Sequence, residues 1–60
     1  MQLVTIKKFS ELTGYSEEAI RQKLKKGVWR FREHAFKAPD GRILINSTKI
    51  EEWITQEYQS

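Results

Sequence analysis

Sixty residues carrying 11 Lys+Arg against 8 Asp+Glu give a formal net charge of +3, and a chain of this size supports one small core with a net stability of about 3 to 5 kcal/mol. With no cysteine and a single histidine, the composition excludes a disulfide framework and a thiolate or multi-histidine metal centre, so no cofactor is expected. No apolar run approaches a signal-peptide core or a membrane span, which points to a soluble, cytoplasmic chain with no membrane partner.

Leu3-Val4-Thr5 is short and β-prone, and Thr5 is placed to cap a first helix whose apolar positions Ile6, Phe9 and Leu12 recur at helical spacing. Gly14 ends that helix. Ser16 then offers a second N-cap, with Glu17 and Glu18 in the first turn, where carboxylates favour the positive end of the helix dipole. The second helix is predicted from about Glu17 to Lys26, with Gly27 as its left-handed C-terminal residue. Lys25 and Lys26 fall in its last turn, a place that suits cations for structural reasons alone.

Two helices separated by a turn at Gly14 outline a helix-turn-helix. At about 100° per residue, Ile20, Leu24 and Gly27 share one side of the second helix, and Glu18, Arg21, Gln22 and Lys25 cluster on the opposite side. That outer face consists of long side chains with hydrogen-bonding ends. Arginine can address guanine O6 and N7 with two bonds, glutamine can do the same for adenine, and glutamate can accept from cytosine N4.

Beyond this helix, Val28, Trp29 and Phe31 are expected in the core or at its edge, with Trp29 packing rather than stacking on a base. His34 is expected to be a surface or strand residue without chemistry. In "FKAPDGRILIN", Pro39-Asp40-Gly41 separates two β-prone runs: proline sets φ, aspartate suits the next position, and glycine accepts positive φ. This predicts a β-hairpin whose return strand turns Ile43 and Ile45 inward, with Arg42 and Lys37 near its tip. Asn46-Ser47 offers caps for a third helix with a stripe of Ile50, Trp53, Ile54 and Tyr58, and with Glu51, Glu52 and Glu57 on its outer face.

Charge is distributed unevenly over these elements. Residues 1–20 carry a net −1 and residues 43–60 a net −2, whereas residues 21–42 hold Arg21, Lys23, Lys25, Lys26, Arg30, Arg32, Lys37 and Arg42 against Glu33 and Asp40, a net +6. The basic block coincides with the second helix and the hairpin. Helix, turn, helix, hairpin, helix is the order of a winged helix-turn-helix, an α+β fold of three helices with a β-hairpin wing, here a single domain over residues 1–60. In such a fold the second helix enters a major groove of double-stranded DNA and the wing reaches a neighbouring backbone or minor groove. Ser16 and Lys26, at the two ends of the helix, are candidate backbone contacts, and Lys37 and Arg42 are candidate wing contacts.

The segments "TGYSEEAIRQKLKKGVW", "FKAPDGRILIN" and "IEEWI" together resemble the small phage and prophage excisionases, whose winged-helix domain is similar to the DNA-binding part of MerR-type regulators. The resemblance covers nearly the whole chain. It implies a recombination directionality factor: a protein without catalytic activity that binds adjacent attachment sites side by side, bends the DNA and helps a phage integrase assemble the excisive complex. Carried over by position, its major-groove residues fall on Glu18, Ala19, Arg21, Gln22 and Lys25, and its wing contact on Arg42. Longer excisionases have a basic or flexible tail that contacts integrase; this sequence stops soon after Tyr58, so the resemblance assigns no residues to that contact.

An enzyme is the class least supported. Glu17-Glu18 and Glu51-Glu52 are adjacent on helices and diverge, and Ser10, Ser16 and Ser47 have no evident base partner. A small phage transcriptional regulator would use the same helix and wing. A protein-binding inhibitor module would instead expose Trp29, Phe31 or Tyr15 as an anchor.

Overall fold

Each helix opens at a residue whose side chain supplies a partner for an orphan backbone N–H. In the computed structural model of the chain, which describes residues 2–56, Thr5 Oγ1 accepts from Lys8 N at 3.0 Å, Ser16 Oγ from Ala19 N at 3.0 Å and Asn46 Oδ1 from Lys49 N at 3.3 Å. These caps start α1 (Ile6–Thr13), α2 (Glu17–Lys25) and α3 (Ser47–Thr55), at the boundaries that the sequence predicts. Between α1 and α2 the backbone reverses at Gly14, whose φ of 85° is left-handed and whose N–H donates to Ser10 O at 2.9 Å. At its far end α2 stops at Lys25, with Lys26 as its C-cap. Trp29 N then reaches back to Lys23 O at 3.2 Å, a bond that delivers the indole to the interior.

The sheet has three antiparallel strands in the order β1-β3-β2, with β1 at Leu3–Thr5, β2 at Ala35–Lys37 and β3 at Ile43–Asn46. β2 and β3 form the predicted hairpin, Lys37 facing Ile43 and Ala35 facing Ile45. The third strand goes beyond the sequence expectation. Leu3-Val4-Thr5 pairs with the free edge of β3, Val4 opposite Ile45 and Thr5 opposite Leu44. Ser47, almost fully buried, seals the same corner, its N and Oγ both donating to Gln2 O, at 2.9 and 3.2 Å. Three helices and a small antiparallel sheet make an α+β fold compatible with a small winged helix.

Trp29 is the centre of the core. Its side chain is fully buried, and the rings of Phe9, Tyr15 and Trp53 meet it edge-on at centroid distances of 6.1, 5.9 and 5.5 Å. Ile6, Ile20, Leu24, Ala35, Ile45 and Ile50 complete the cluster. Lys23 does not point away from it: its Nζ lies 5.4 Å from the centroid of Tyr15 and 5.9 Å from that of Trp29, so this cation caps the aromatic group. Trp29 Nε1 is buried with no hydrogen-bond acceptor among the described residues.

Several positions differ from the sequence expectation. Leu12, Val28, Phe31 and Ile54 are exposed, at 59, 44, 46 and 40% respectively. Helical spacing alone cannot tell a stripe that faces the core from one that runs past its edge, and α1 and α3 are each only two turns long. His34 is buried, because the turn before β2 folds over it and Arg30 N donates to its Nδ1 at 3.0 Å. Tyr58 and Glu57 lie outside the described residues. Of the three residues considered as anchors for a protein partner, Trp29 is buried and Tyr15 packs against the core, leaving Phe31 exposed.

Candidate nucleic-acid interface

The wing is held by its own turn. Ala38 N donates to Arg42 O at 2.8 Å and Gly41 N to Ala38 O at 2.9 Å, closing a loop of Pro39, Asp40 and Gly41. Gly41 has a φ of 91°, the left-handed position that such a loop requires of its third residue. Asp40 Oδ1 accepts from Arg42 N at 3.0 Å, which fixes the backbone at the base of the Arg42 side chain and leaves that side chain exposed.

The polar side of α2 lies beside this wing. One shallow depression is lined by Lys7 at the start of α1, Glu17 and Arg21 of α2, and Gly41, Arg42 and Ile43 of the hairpin, among others. A second is lined by Arg21, Leu24, Lys25, Phe31 and Ile43. A third runs along Phe31, Arg32, Phe36, Lys37 and Ile43. Ile43 lines all three, so Arg21, Lys25, Lys37 and Arg42, four residues singled out from the sequence, each border a depression that Ile43 also borders.

The remaining candidates occupy the other parts of α2. Glu18 and Gln22 are one helical turn apart, and Gln22 Nε2 donates to Glu18 Oε1 at 2.9 Å. That bond leaves the Gln22 carbonyl and one N–H free, the two groups a bidentate adenine contact uses. Ala19 is half-buried; Ser16, whose Oγ is engaged as the cap, and Lys26 are exposed at the two ends of the helix. None of these five lines the depressions beside the wing. Arg21 approaches Glu17 at 3.7 Å, but both side chains are about half exposed, and such a pair holds the guanidinium only weakly.

Two cations join this surface that the sequence does not single out. Lys7 belongs to a segment with a net negative count, yet Thr5 pairs with Leu44, so the antiparallel register brings the start of α1 to the base of the wing. Knowledge of that pairing is the signal that would have found it. Arg32 shares a depression with Lys37. The outer side of α3 differs in charge, with Glu51 and Glu52 exposed and Lys49 within 3.8 Å of Glu52. A separate depression formed by His34, Lys49, Glu52, Trp53 and Gln56 shares no residue with the cationic surface.

Among the described residues there is no group of three or more His, Cys, Asp or Glu side chains that could hold a metal ion, and no helix is long and apolar enough to cross a membrane.

The class of protein is thus an α+β fold compatible with a small winged helix, with Arg21 of α2 and Arg42 of the hairpin lining one depression. The family described as "Putative excisionase (DUF1233)" matches residues 2–58. The chain belongs to this excisionase family, and membership supports a role connected with excision. Neither the curated proteins nor the solved structures compared give a match.

Proposed function

We propose that residues 1–60 act as one winged-helix DNA-binding domain, an architectural excisionase without catalytic activity. α2 enters the major groove of an attachment-site duplex and presents Glu18, Ala19, Arg21, Gln22 and Lys25 to base edges. Ser16 and Lys26 meet the backbone at either end of the helix, and Arg42 and Lys37 carry the wing to the neighbouring phosphates or minor groove. Protomers bound side by side bend the DNA and present it to a phage integrase. The observation that supports this reading is the depression lined by both Arg21 of α2 and Arg42 at the wing tip, with Lys7 beside them.

Footprinting of the parent element's attachment DNA, with and without its integrase, tests the assignment. The expected result is tandem protection at the attachment region together with stimulated excision. Protection confined to a promoter, with excision unaffected, would replace this function with that of a transcriptional regulator using the same helix and wing.

A further inference from the structure

Phe31 does not behave as a core residue that failed to be covered. It is 46% exposed, and it borders two of the three depressions beside the hairpin, in company with Leu24 and Ile43 in one and Phe36 and Ile43 in the other. Scattered exposed apolar residues are ordinary on a protein surface; this one lines depressions with the partly buried Phe36 and Ile43 and the buried Leu24, and with the cations Arg21 and Lys25 from α2 and Arg32 and Lys37 from the β2 side.

The turn that presents it is tightly specified. His34 N and Glu33 N both donate to Arg30 O, at 2.8 and 3.2 Å, Arg30 N donates to His34 Nδ1, and Arg32 N donates to Ala35 O at 2.7 Å. Phe31 and Ala35 are further joined by an isolated parallel bridge. Within this turn Arg32 holds a φ of 74°, a left-handed conformation that costs a non-glycine residue free energy and persists only where its surroundings enforce it. A strained, multiply bonded turn that holds an aromatic ring outward between two cationic elements is a presentation device.

We propose that Phe31, which lines two depressions together with Ile43, is a non-electrostatic contact to duplex DNA, its ring covering the apolar C–H surface of a deoxyribose in the strand that separates the groove held by α2 from the groove reached by the wing. This rests on the DNA-binding reading above. A saddle between a major-groove helix and a wing faces a single sugar–phosphate strand, whose apolar surface is the sugar. The surrounding lysines and arginines match the phosphates on either side of it. A partner with an acidic or purely apolar surface would match one half of this arrangement; a sugar–phosphate strand matches both.

The test is equilibrium binding of the full chain to a short attachment-site duplex across a salt series. Phe31→Ala is expected to weaken binding about 10- to 30-fold at every salt concentration, from the apolar area no longer covered, and to leave the slope of log K against log[salt] unaltered. Phe31→Gln, which keeps side-chain bulk at this exposed position but removes the apolar ring, is expected to lose affinity to a similar extent and serves if the alanine variant folds poorly, as judged by thermal melting. Arg42→Ala, by contrast, is expected to reduce the magnitude of the slope by about 1. Unaltered affinity in both Phe31 variants overturns the proposal and leaves these depressions to a protein partner; a loss confined to high salt or accompanied by a change in slope overturns it equally. Absence of duplex binding by the unaltered protein would overturn the DNA-binding reading itself, an outcome distinct from an indifferent Phe31.

Discussion

Trp29→Ala is expected to leave no stably folded protein at ambient temperature. Truncating a fully buried tryptophan typically costs about 3 to 5 kcal/mol, and a chain of this length has about that much net stability in total. The indole is the point where the elements converge: Phe9 comes from α1, Tyr15 from the interhelical turn and Trp53 from α3, each with a ring edge against it. Lys23 loses one of its two ring partners as well. Far-UV circular dichroism on heating and in urea checks this. A cooperative transition with a stability loss below about 1 kcal/mol would show that the aromatic cluster is not what holds α1, α2 and α3 together. Trp29→Phe is expected to be milder, because it keeps an aromatic ring in place and removes the Nε1 donor that has no acceptor among the described residues.

The second large effect concerns discrimination between DNA sequences. Arg21→Ala and Gln22→Ala are each expected to narrow the gap between target and random duplex by about 1 to 3 kcal/mol, the worth of one bidentate base contact. Both positions tolerate truncation, since Arg21 is exposed and Gln22 is half-buried on the side of α2 opposite Ile20 and Leu24. Lys25→Ala is expected to lower affinity for all sequences alike. Because Gln22 donates to Glu18, the Glu18→Ala and Gln22→Ala effects should be non-additive in a double-mutant cycle. Competition between labelled target and unlabelled random duplex measures the gap. Unchanged discrimination in both the Arg21 and Gln22 variants would remove the base-reading role of this helix face.

What the sequence makes legible here is local chemistry. Thr5, Ser16 and Asn46 announce their helices because the capping bond spans only three residues, and Pro39-Asp40-Gly41 announces its hairpin because the turn is closed by its own backbone. Long-range pairing is less legible. The strand at Leu3–Thr5 reads as a β-prone fragment, and only its register against β3 shows that Lys7 stands beside Arg42. A block count of charge therefore assigns Lys7 to the wrong side of the ledger, and it also overcounts the basic segment, since Lys23 caps aromatic rings. Burial of Leu12 and Ile54 is misjudged for a related reason: in so small a core, periodicity gives the direction of a side chain but not whether anything lies opposite it. His34 is buried by a turn stabilised through its own ring nitrogen, and no periodic pattern encodes that.

The central claim is that the polar face of α2 and the wing form one DNA-binding surface, with α3 turned away. Amide and side-chain chemical-shift changes, recorded residue by residue while an attachment-site duplex is titrated into the labelled protein, test it most directly. The account predicts the largest changes at Ser16 to Lys26 and at Lys37 to Ile43, extending to Lys7, with Glu51 and Glu52 scarcely affected. Changes concentrated on α3, with α2 and the hairpin tip silent, would contradict it.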